Sequence, residues 1–166
     1  MNAIFNRRSI RKYTKQVISE ETIEKLLRAG MAAPSAANEQ PWHFIVIKDK
    51  EVLSAIPKFH PYAQMLREAD CAIVVCGDLV LETNKNFWVQ DCSAATENIL
   101  IEATDLGLGS VWIGVHPDQD RVKPLHALLG LPQTVIPLCI ISLGYPPEIK
   151  APVDRFNPAR IHRDKW

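Results

Sequence analysis

Residues 71–78 are Cys-Ala-Ile-Val-Val-Cys-Gly-Asp, a continuous apolar run that a glycine and an aspartate end. An apolar run without alternation is typical of a strand that is covered on both faces. The run lies between a helical pattern at 19–34, which Ser19 caps, and a longer one at 87–106, which Gly107 ends. The stretch therefore predicts a buried strand with helices packed against its sheet.

Further strands and short helices are predicted along the rest of the chain. The patterns indicate strands at 43–47, 110–115 and 135–143, and short helices at 50–56 and 118–130. Pro137 is expected at the start of its strand or at a sheet edge, because proline cannot donate a ladder hydrogen bond. Helices that alternate with short strands predict an α+β fold, a three-layer α/β/α sandwich with a mixed central sheet, in a single domain over residues 1–166.

The composition is that of an ordinary folded protein. The 166 residues are 47% hydrophobic and 23% charged, with 19 basic and 19 acidic side chains. No apolar run approaches the length of about 20 residues that crosses a bilayer, and the first residues have no signal-peptide core. We therefore expect a cytoplasmic protein with no membrane contact.

The cysteines are expected to be buried thiols. Cys71, Cys76, Cys92 and Cys139 form no C-x-x-C pair and have no neighbouring histidine at metal-ligand spacing, so no metal site is expected. The alternative is a nucleophilic Cys92. Its neighbour Asp91 argues against this alternative, because an acidic neighbour raises the pKa of a thiol.

Basic residues are concentrated at the two ends of the chain. Residues 1–15 hold five basic residues and no acidic one, and residues 150–166 hold five basic residues and two acidic ones. This distribution suggests a localised anion site if folding or dimerisation brings the ends together. Nucleic-acid binding is not expected, because interleaved aromatics and basic repeats are absent. Solvated surface charge is the remaining alternative.

The sequence lacks the motifs that are typical of several common enzyme classes. It contains no G-x-G-x-x-G between a strand and a helix and no G-x-x-x-x-G-K-[ST]. It also lacks G-x-S-x-G and H-E-x-x-H. Rossmann dinucleotide binding, phosphate-loop nucleotide hydrolysis, the usual esterase layout and zinc proteolysis are therefore disfavoured.

The segment Arg7-Arg8-Ser9-Ile10-Arg11 is the strongest local indication of chemistry. Arginine offers a planar fork of donors that matches phosphate oxygens, and serine adds one short donor. If residues 2–8 are helical, Arg7 and Arg11 could reach one ligand from one face. Ser9 could instead only cap or end a turn.

A second segment, Pro34-Ser35-Ala36-Ala37-Asn38-Glu39-Gln40-Pro41-Trp42, is made of small and amide residues. Such a loop can hydrogen-bond the carbonyl and imide edge of a heterocycle. The alternative is a plain connection from helix to strand, with Trp42 buried in the core.

The order of four segments resembles the FMN-dependent nitroreductase family. The segments are Arg7-Arg8-Ser9-x-Arg11, Pro34-Ser35-Ala36-Ala37-Asn38-x-Gln40-Pro41-Trp42, Gly107-Leu108-Gly109-x-x-Trp112-Ile113-Gly114 and Gly144-Tyr145-Pro146. Together they extend over nearly the whole chain. Two departures are a short chain and Arg8 where some relatives carry histidine, which imply a more open pocket.

The resemblance implies a set of FMN-binding residues. It places the FMN phosphate and part of the isoalloxazine edge on Arg7, Arg8, Ser9 and Arg11. It implies that a loop from the other subunit reaches the flavin through Pro34, Ser35, Ala36, Asn38 and Gln40. It implies that Ile113 and Gly114 pass the reactive ring nitrogen, with a backbone N–H that stabilises charge on the reduced ring. It implies that Arg155 completes the phosphate site.

The resemblance also implies an activity and an assembly. It implies a homodimer with two interface flavins, whose C-terminal tails extend onto the partner subunit. NADH or NADPH would supply hydride, and nitroaromatic or quinone-like small molecules would accept electrons in a ping-pong mechanism. No catalytic side chain and no metal are expected, because the flavin carries the chemistry. Alternatives are reductive dehalogenation, a flavin-consuming reaction, or flavin binding without catalysis.

Two further expectations concern the acceptor side of the pocket and the five histidines. The irregular segment 59–65, with Tyr62 and Gln64, is expected to line the acceptor side, the alternative being ordinary loop packing. The five histidines, His43, His60, His116, His126 and His162, are expected to be structural or surface residues.

Overall fold

A computed structural model describes residues 3–148 and 150–166. The helices are α1 Ala3–Asn6, α2 Glu20–Met31, α3 Lys50–Ala55, α4 Trp88–Asp105 and α5 Gln119–Leu129. The strands are β1 Trp42–Ile47, β2 Cys71–Asp78, β3 Gly109–Gly114 and β4 Val135–Gly144. Short 3₁₀ helices occupy Ala36–Asn38, Ile56–Lys58, Pro61–Arg67 and Pro158–Arg160. The elements predicted from the sequence are thus confirmed, with ends that differ by at most three residues.

The four strands form one sheet in the order β1-β2-β4-β3, and all three pairings are antiparallel. A parallel direction enters only through an isolated bridge between Ser9 and Ser110 among the residues described. The mixed character predicted for the sheet therefore rests on the N-terminal segment, which joins the free edge of β3.

Helices cover both faces of the sheet. On one face, Ile73 and Val75 of β2 pack in a core that α2 and α4 complete. On the other face, Ala72 and Val74 pack in a second core with α3, α5 and the segment Pro61–Arg67. Because β2 pairs with a strand on each side and is covered on each face, it is buried from Cys71 to Gly77. The predicted buried strand and three-layer arrangement are confirmed.

Pro137 is the third residue of β4, so its predicted position near a strand start is confirmed. The strand itself lies between β2 and β3 and is not at an edge. Opposite the proline the register of β2 shifts, since Val75 pairs with Cys139 and Cys76 pairs with Pro137. The irregularity accommodates a residue that has no N–H to donate.

The C-terminal residues 150–166 are exposed along their whole described length. Phe156 is 74% exposed, and Trp166 is fully exposed and stacks on His162 with ring centroids 4.1 Å apart. The tail therefore leaves its large apolar side chains exposed to solvent. Its predicted placement on a partner subunit stays a prediction.

Within the described residues, none of the helices combines the length and apolar character that crossing a membrane requires.

A buried carboxylate fixes the start of α4. Glu82 is 4% exposed, and its Oε1 accepts hydrogen bonds from the Phe87 N–H at 2.8 Å and the Trp88 N–H at 3.0 Å. The residue that precedes the helix, Phe87, supplies no side-chain cap. Glu82 therefore performs the work of an N-cap from outside the helix, where a negative charge also favours the helix dipole.

We expect Glu82→Ala to lower the free energy of unfolding by about 1–2 kcal/mol, the range for loss of a helix cap. Glu82→Gln keeps an acceptor oxygen and should lose less. Chemical denaturation of both variants measures the effect. Glu24→Ala is the control, because Glu24 forms an exposed ion pair with Arg28 on α2; an equal loss in Glu82→Ala and this control would contradict the capping role.

Candidate functional site

A cavity of about 440 Å³ lies along the open edge of β3. Its walls come from the segment Pro61–Arg67 with His60, from β3 between Val111 and Gly114, and from Arg121 of α5. Arg11, a basic residue of the N-terminal segment, also lines this cavity. The volume falls within the range of small-molecule and cofactor pockets.

The backbone of β3 presents polar groups to the open edge. The Ser110 carbonyl accepts the Ile10 N–H at 2.9 Å, and the Gly114 carbonyl lies 2.8 Å from His60 Nε2. Both carbonyls therefore point away from β4. Because backbone direction repeats every two residues in a strand, the N–H groups of Trp112 and Gly114 also point to this edge. An edge strand of this kind can bind a ligand through main-chain hydrogen bonds.

Two glycines allow the N-terminal segment to pack closely against the sheet. A Cβ on Gly109 would lie 2.6 Å from Ile10 Cγ2, and a Cβ on Gly144 would lie 2.7 Å from the Tyr13 ring. The Thr14 N–H donates to the Tyr145 carbonyl at 2.8 Å. The glycines of two sequence motifs thus allow residues 9–14 to lie directly on the ends of β3 and β4, and this path directs Arg11 to the cavity.

Tyr13 anchors the same segment. Its hydroxyl donates to the Ile10 carbonyl at 2.9 Å, and its oxygen lies 2.9 Å from Ser142 Oγ. Burial raises the pKa of Tyr13 to about 12. The phenol is therefore protonated at neutral pH and serves as a hydrogen-bonding anchor.

The four residues of the predicted phosphate cluster point in different directions. Helix α1 ends at Asn6, so Arg7 and Arg11 do not share a helical face. Arg7 Nε lies 3.3 Å from Glu97 Oε1 on α4, and Arg8 lines a separate cavity of about 390 Å³. Ser9 is exposed beside the bridge to Ser110. Of the four, only Arg11 lines the cavity along β3.

The predicted flavin loop forms a structured turn between α2 and β1 and is hydrogen-bonded to the first turn of α4. The Ala36 N–H donates to Asp91 Oδ1 at 3.0 Å, and the Gln40 N–H donates to Ser35 Oγ at 3.0 Å. Gln40 Nε2 donates to Asn38 Oδ1 at 3.1 Å. The loop, including Pro34, lies outside the cavity lining, and Asn38 and Gln40 are exposed. Trp42 is buried, as the plain-connection alternative proposed.

One chain by itself assembles only part of the predicted site. Arg11, Ile113 and Gly114 meet at the cavity, whereas Arg155 lies in the exposed tail. Tyr62 and Gln64, predicted to line the acceptor side, also line this cavity. The structure therefore brings together the strand, one arginine and the predicted acceptor segment, and leaves the loop and the tail apart from them.

The sequence gave no role to two cavity residues. His60 lies in the segment 59–65 that was expected to line the acceptor side, but the residue itself was expected to be structural or on the surface, and Arg121 was not considered. His60 precedes a proline in an irregular segment and Arg121 stands in the first turn of a helix, so neither position carries a periodic pattern that would mark it. Only the packing of both elements against β3 reveals their place.

The cysteines do not supply a nucleophile. All four are buried, which confirms the prediction of buried thiols. Burial raises the pKa of Cys71, Cys76 and Cys139 to about 12, and raises the pKa of Cys92 further still. The described residues also contain no cluster of three or more His, Cys, Asp or Glu side chains that could hold a metal ion.

The family model described as the Nitroreductase family matches residues 4–65 and 58–145. The chain belongs to the nitroreductase family. The chain is also 53% identical over 170 residues to a protein of Archaeoglobus fulgidus provisionally named NADH dehydrogenase/NAD(P)H nitroreductase. The alignment covers 100% of this nitroreductase-family chain and 98% of that relative.

Solved structures share the fold over almost the whole chain. A provisionally named NADH oxidase of Clostridium acetobutylicum is 46% identical with a TM-score of 0.96, and 99% of each chain is covered. A provisionally named nitroreductase of Desulfovibrio desulfuricans, solved in complex with FMN, is 31% identical with a TM-score of 0.88. Its alignment covers 99% of this chain and 95% of that one. The predicted nitroreductase-like fold is confirmed.

The four thiols should react very slowly in the folded protein at pH 8. A pKa of about 12 instead of 9.0 lowers the thiolate fraction roughly 1000-fold, and burial also blocks access. Titration with a disulfide reagent, with and without denaturant, measures this difference. Rapid reaction of one thiol in the folded protein would contradict it. Burial keeps these thiols neutral in the folded protein, whereas those of the unfolded chain ionise near pH 9.0. The free energy of unfolding should therefore fall as the pH rises from about 9 towards 12.

Proposed function

We propose that this nitroreductase-family protein is an FMN-dependent oxidoreductase that takes hydride from NADH or NADPH and reduces nitroaromatic or quinone-like acceptors. The observation that carries the proposal is the cavity along β3, which Arg11 lines together with apolar side chains and the open edge of the strand. The family membership and the FMN complex of one relative support it.

The residues present fit a flavin. Val111, Ile113 and Met65 give the cavity apolar surface, which suits an aromatic ring system. A Cβ on Gly114 would meet nothing within 4 Å, so no packing within the chain requires a glycine there. The absence of a side chain leaves the strand backbone open to close approach by a flat ligand.

Arg7, Arg8 and Ser9 would hold the FMN phosphate, and Arg11 would face the ring edge. Arg7 is paired with one exposed carboxylate, Glu97, and its remaining guanidinium donors can serve a phosphate. Ile113 and Gly114 would contact the ring through the strand edge. The loop residues Pro34, Ser35, Ala36, Asn38 and Gln40 and the tail residue Arg155 would come from a second subunit.

A homodimer accounts for the separation of these groups in one chain. The loop of residues 34–42 does not line the cavity, and the tail carries the exposed side chains of Phe156 and Trp166. A second copy would complete each site with a loop and bury the apolar tail. We therefore propose two FMN sites at the dimer interface. The cytoplasmic location stays a prediction.

When bound, FMN supplies reversible hydride transfer at its ring. The protein's own contribution is orientation and electrostatics. The Gly114 N–H would donate to the ring beside its reactive nitrogen, and the positive charge of Arg11 would stabilise negative charge at the ring edge. The apolar walls would exclude water from the reacting atoms. None of these contributions requires a general acid or base from the protein.

Anaerobic titration of the FMN-loaded protein tests the proposal. We expect stoichiometric FMN, bleaching of its absorbance by NADH or NADPH, recovery of the absorbance on addition of a nitroaromatic or quinone, and twice the chain mass by light scattering. Bound FMN that neither nucleotide reduces would indicate a flavin-binding protein without this activity. Loss of the flavin itself, or turnover of halogenated aromatics alone, would indicate one of the alternative reactions.

Replacing Arg7 or Arg11 with alanine should weaken FMN binding by roughly 1.5–3 kcal/mol, the range for a hydrogen bond to a charged group. Quenching of flavin fluorescence on binding measures the dissociation constant. Arg28→Ala is the matched control, because Arg28 forms an exposed ion pair with Glu24 on α2 and does not line the cavity. Unchanged affinity in both variants would show that these arginines do not contact FMN.

A further inference from the structure

We propose that His60 is a positioning residue for the strand end at Gly114, and that it acts together with Arg121. This inference rests on the proposed function, because the group it aims is the Gly114 N–H that would face the flavin. It goes beyond that function by assigning a role to a histidine that the proposed chemistry does not otherwise use.

Two donors from different elements converge on one carbonyl oxygen. His60 Nε2 lies 2.8 Å from the Gly114 carbonyl oxygen, and Arg121 Nη1 donates to the same oxygen at 3.2 Å. A carbonyl oxygen only accepts, so the imidazole donates through Nε2. The two donors use both lone pairs of the oxygen. They therefore fix the orientation of the peptide bond after Gly114, a residue that has no side chain to hold it in place.

The His60 ring is itself held rigidly. The residue is 1% exposed, its backbone N–H donates to the Ile56 carbonyl at 3.0 Å, and its carbonyl accepts the Ala63 N–H at 3.0 Å. The ring meets Tyr62 edge-on, with centroids 6.4 Å apart. Its Nδ1 is buried without a hydrogen-bond partner among the residues that the structure describes. The bond to Gly114 is therefore the single polar contact of the ring within that part of the chain.

Arg121 is held by partners that lie around the same cavity. Its Nε lies 2.9 Å from Asp118 Oδ2, and its guanidinium carbon lies 5.4 Å from the centre of the Tyr62 ring. Asp118 also accepts the Asp120 N–H and so caps α5. The second donor to Gly114 thus comes from the first turn of α5, whose cap residue Asp118 is also hydrogen-bonded to the carbonyl of Val115, the residue that follows β3.

The orientation of the Gly114 N–H should affect how tightly the site binds reduced FMN relative to oxidised FMN. If the Gly114 N–H faces the flavin ring, it interacts more strongly with the reduced ring, which carries more negative charge, than with the oxidised ring. Holding the Gly114 carbonyl restricts rotation about the glycine and keeps that N–H aimed. Loss of the His60 donor should therefore weaken binding of reduced FMN more than binding of oxidised FMN, and this difference appears as a lower midpoint potential.

The experiment compares His60→Leu, His60→Gln and Arg121→Met in the FMN-loaded protein. We expect His60→Leu to lower the affinity for reduced FMN relative to oxidised FMN about tenfold, which for a two-electron couple is about 30 mV more negative. His60→Gln retains an N–H donor of similar reach and should restore the ratio to within twofold of the parent. Arg121→Met should shift the ratio in the same direction by about threefold.

His126→Leu is the matched control. His126 Nε2 also lies within hydrogen-bond distance of a backbone carbonyl, 3.0 Å from that of Pro132, and His126 does not line the cavity. A purely structural role for His60 predicts a lower melting temperature with an unchanged potential, as expected for this control. The potential therefore separates positioning from stability.

The outcomes separate this inference from the proposed function. If the parent protein binds FMN and NADH or NADPH reduces it, but the potential of His60→Leu is unchanged, the positioning role is wrong. Failure of His60→Gln to restore the potential would also overturn it. If His60→Leu does not fold, an unchanged potential in Arg121→Met overturns the inference. If the parent protein binds no FMN, the proposed function fails first, and the positioning role falls with it.

Discussion

The contact of residues 9–14 with the ends of β3 and β4 is the constraint on which the candidate site depends. It combines a backbone hydrogen bond from Ile10 to Ser110 with the close packing of Ile10 and Tyr13 on Gly109 and Gly144. A side chain at either glycine would force the segment away from the sheet. Without this packing contact, Arg11 would have no fixed position relative to the open edge of β3.

The distribution of charge in the sequence acquires a physical meaning in the fold. Arg7, Arg8 and Arg11 follow one another closely in the chain, yet they face α4, a second cavity and the cavity along β3. The basic tail is exposed, and its first residue, Lys150, lines the second cavity together with Arg8. The fold thus brings one basic residue from each end to a shared cavity and leaves Arg7 and Arg11 elsewhere. An anionic ligand or a second subunit would be needed to bring more of these charges together favourably.

In the part of the chain that the structure describes, the open edge of β3 is one of two edges that no other strand of the sheet pairs with, and the other is the outer edge of β1. Of the two, the edge of β3 lines the cavity. On β3 the N-terminal segment covers the beginning of the edge, and His60 and Arg121 occupy the Gly114 carbonyl at its end. The exposed backbone between these points is short, which limits uncontrolled pairing with other strands and leaves a defined binding surface.

The sequence alone determined the secondary structure, the layers and the family, because apolar periodicity, caps and glycine stops are local properties. The run at 71–78 predicted a buried strand, and Ser19 and Gly107 predicted helix ends, since burial and capping depend on the residues present within a few positions. The sequence could also name Arg11, Ile113 and Gly114 as candidates. It could not show that they meet. It included His60 only within the acceptor segment 59–65, with no role of its own, and it gave no indication of Arg121. Only the tertiary structure decided those positions, because convergence on the Gly114 carbonyl depends on how two separate elements pack against one strand edge, and no local pattern encodes that distance.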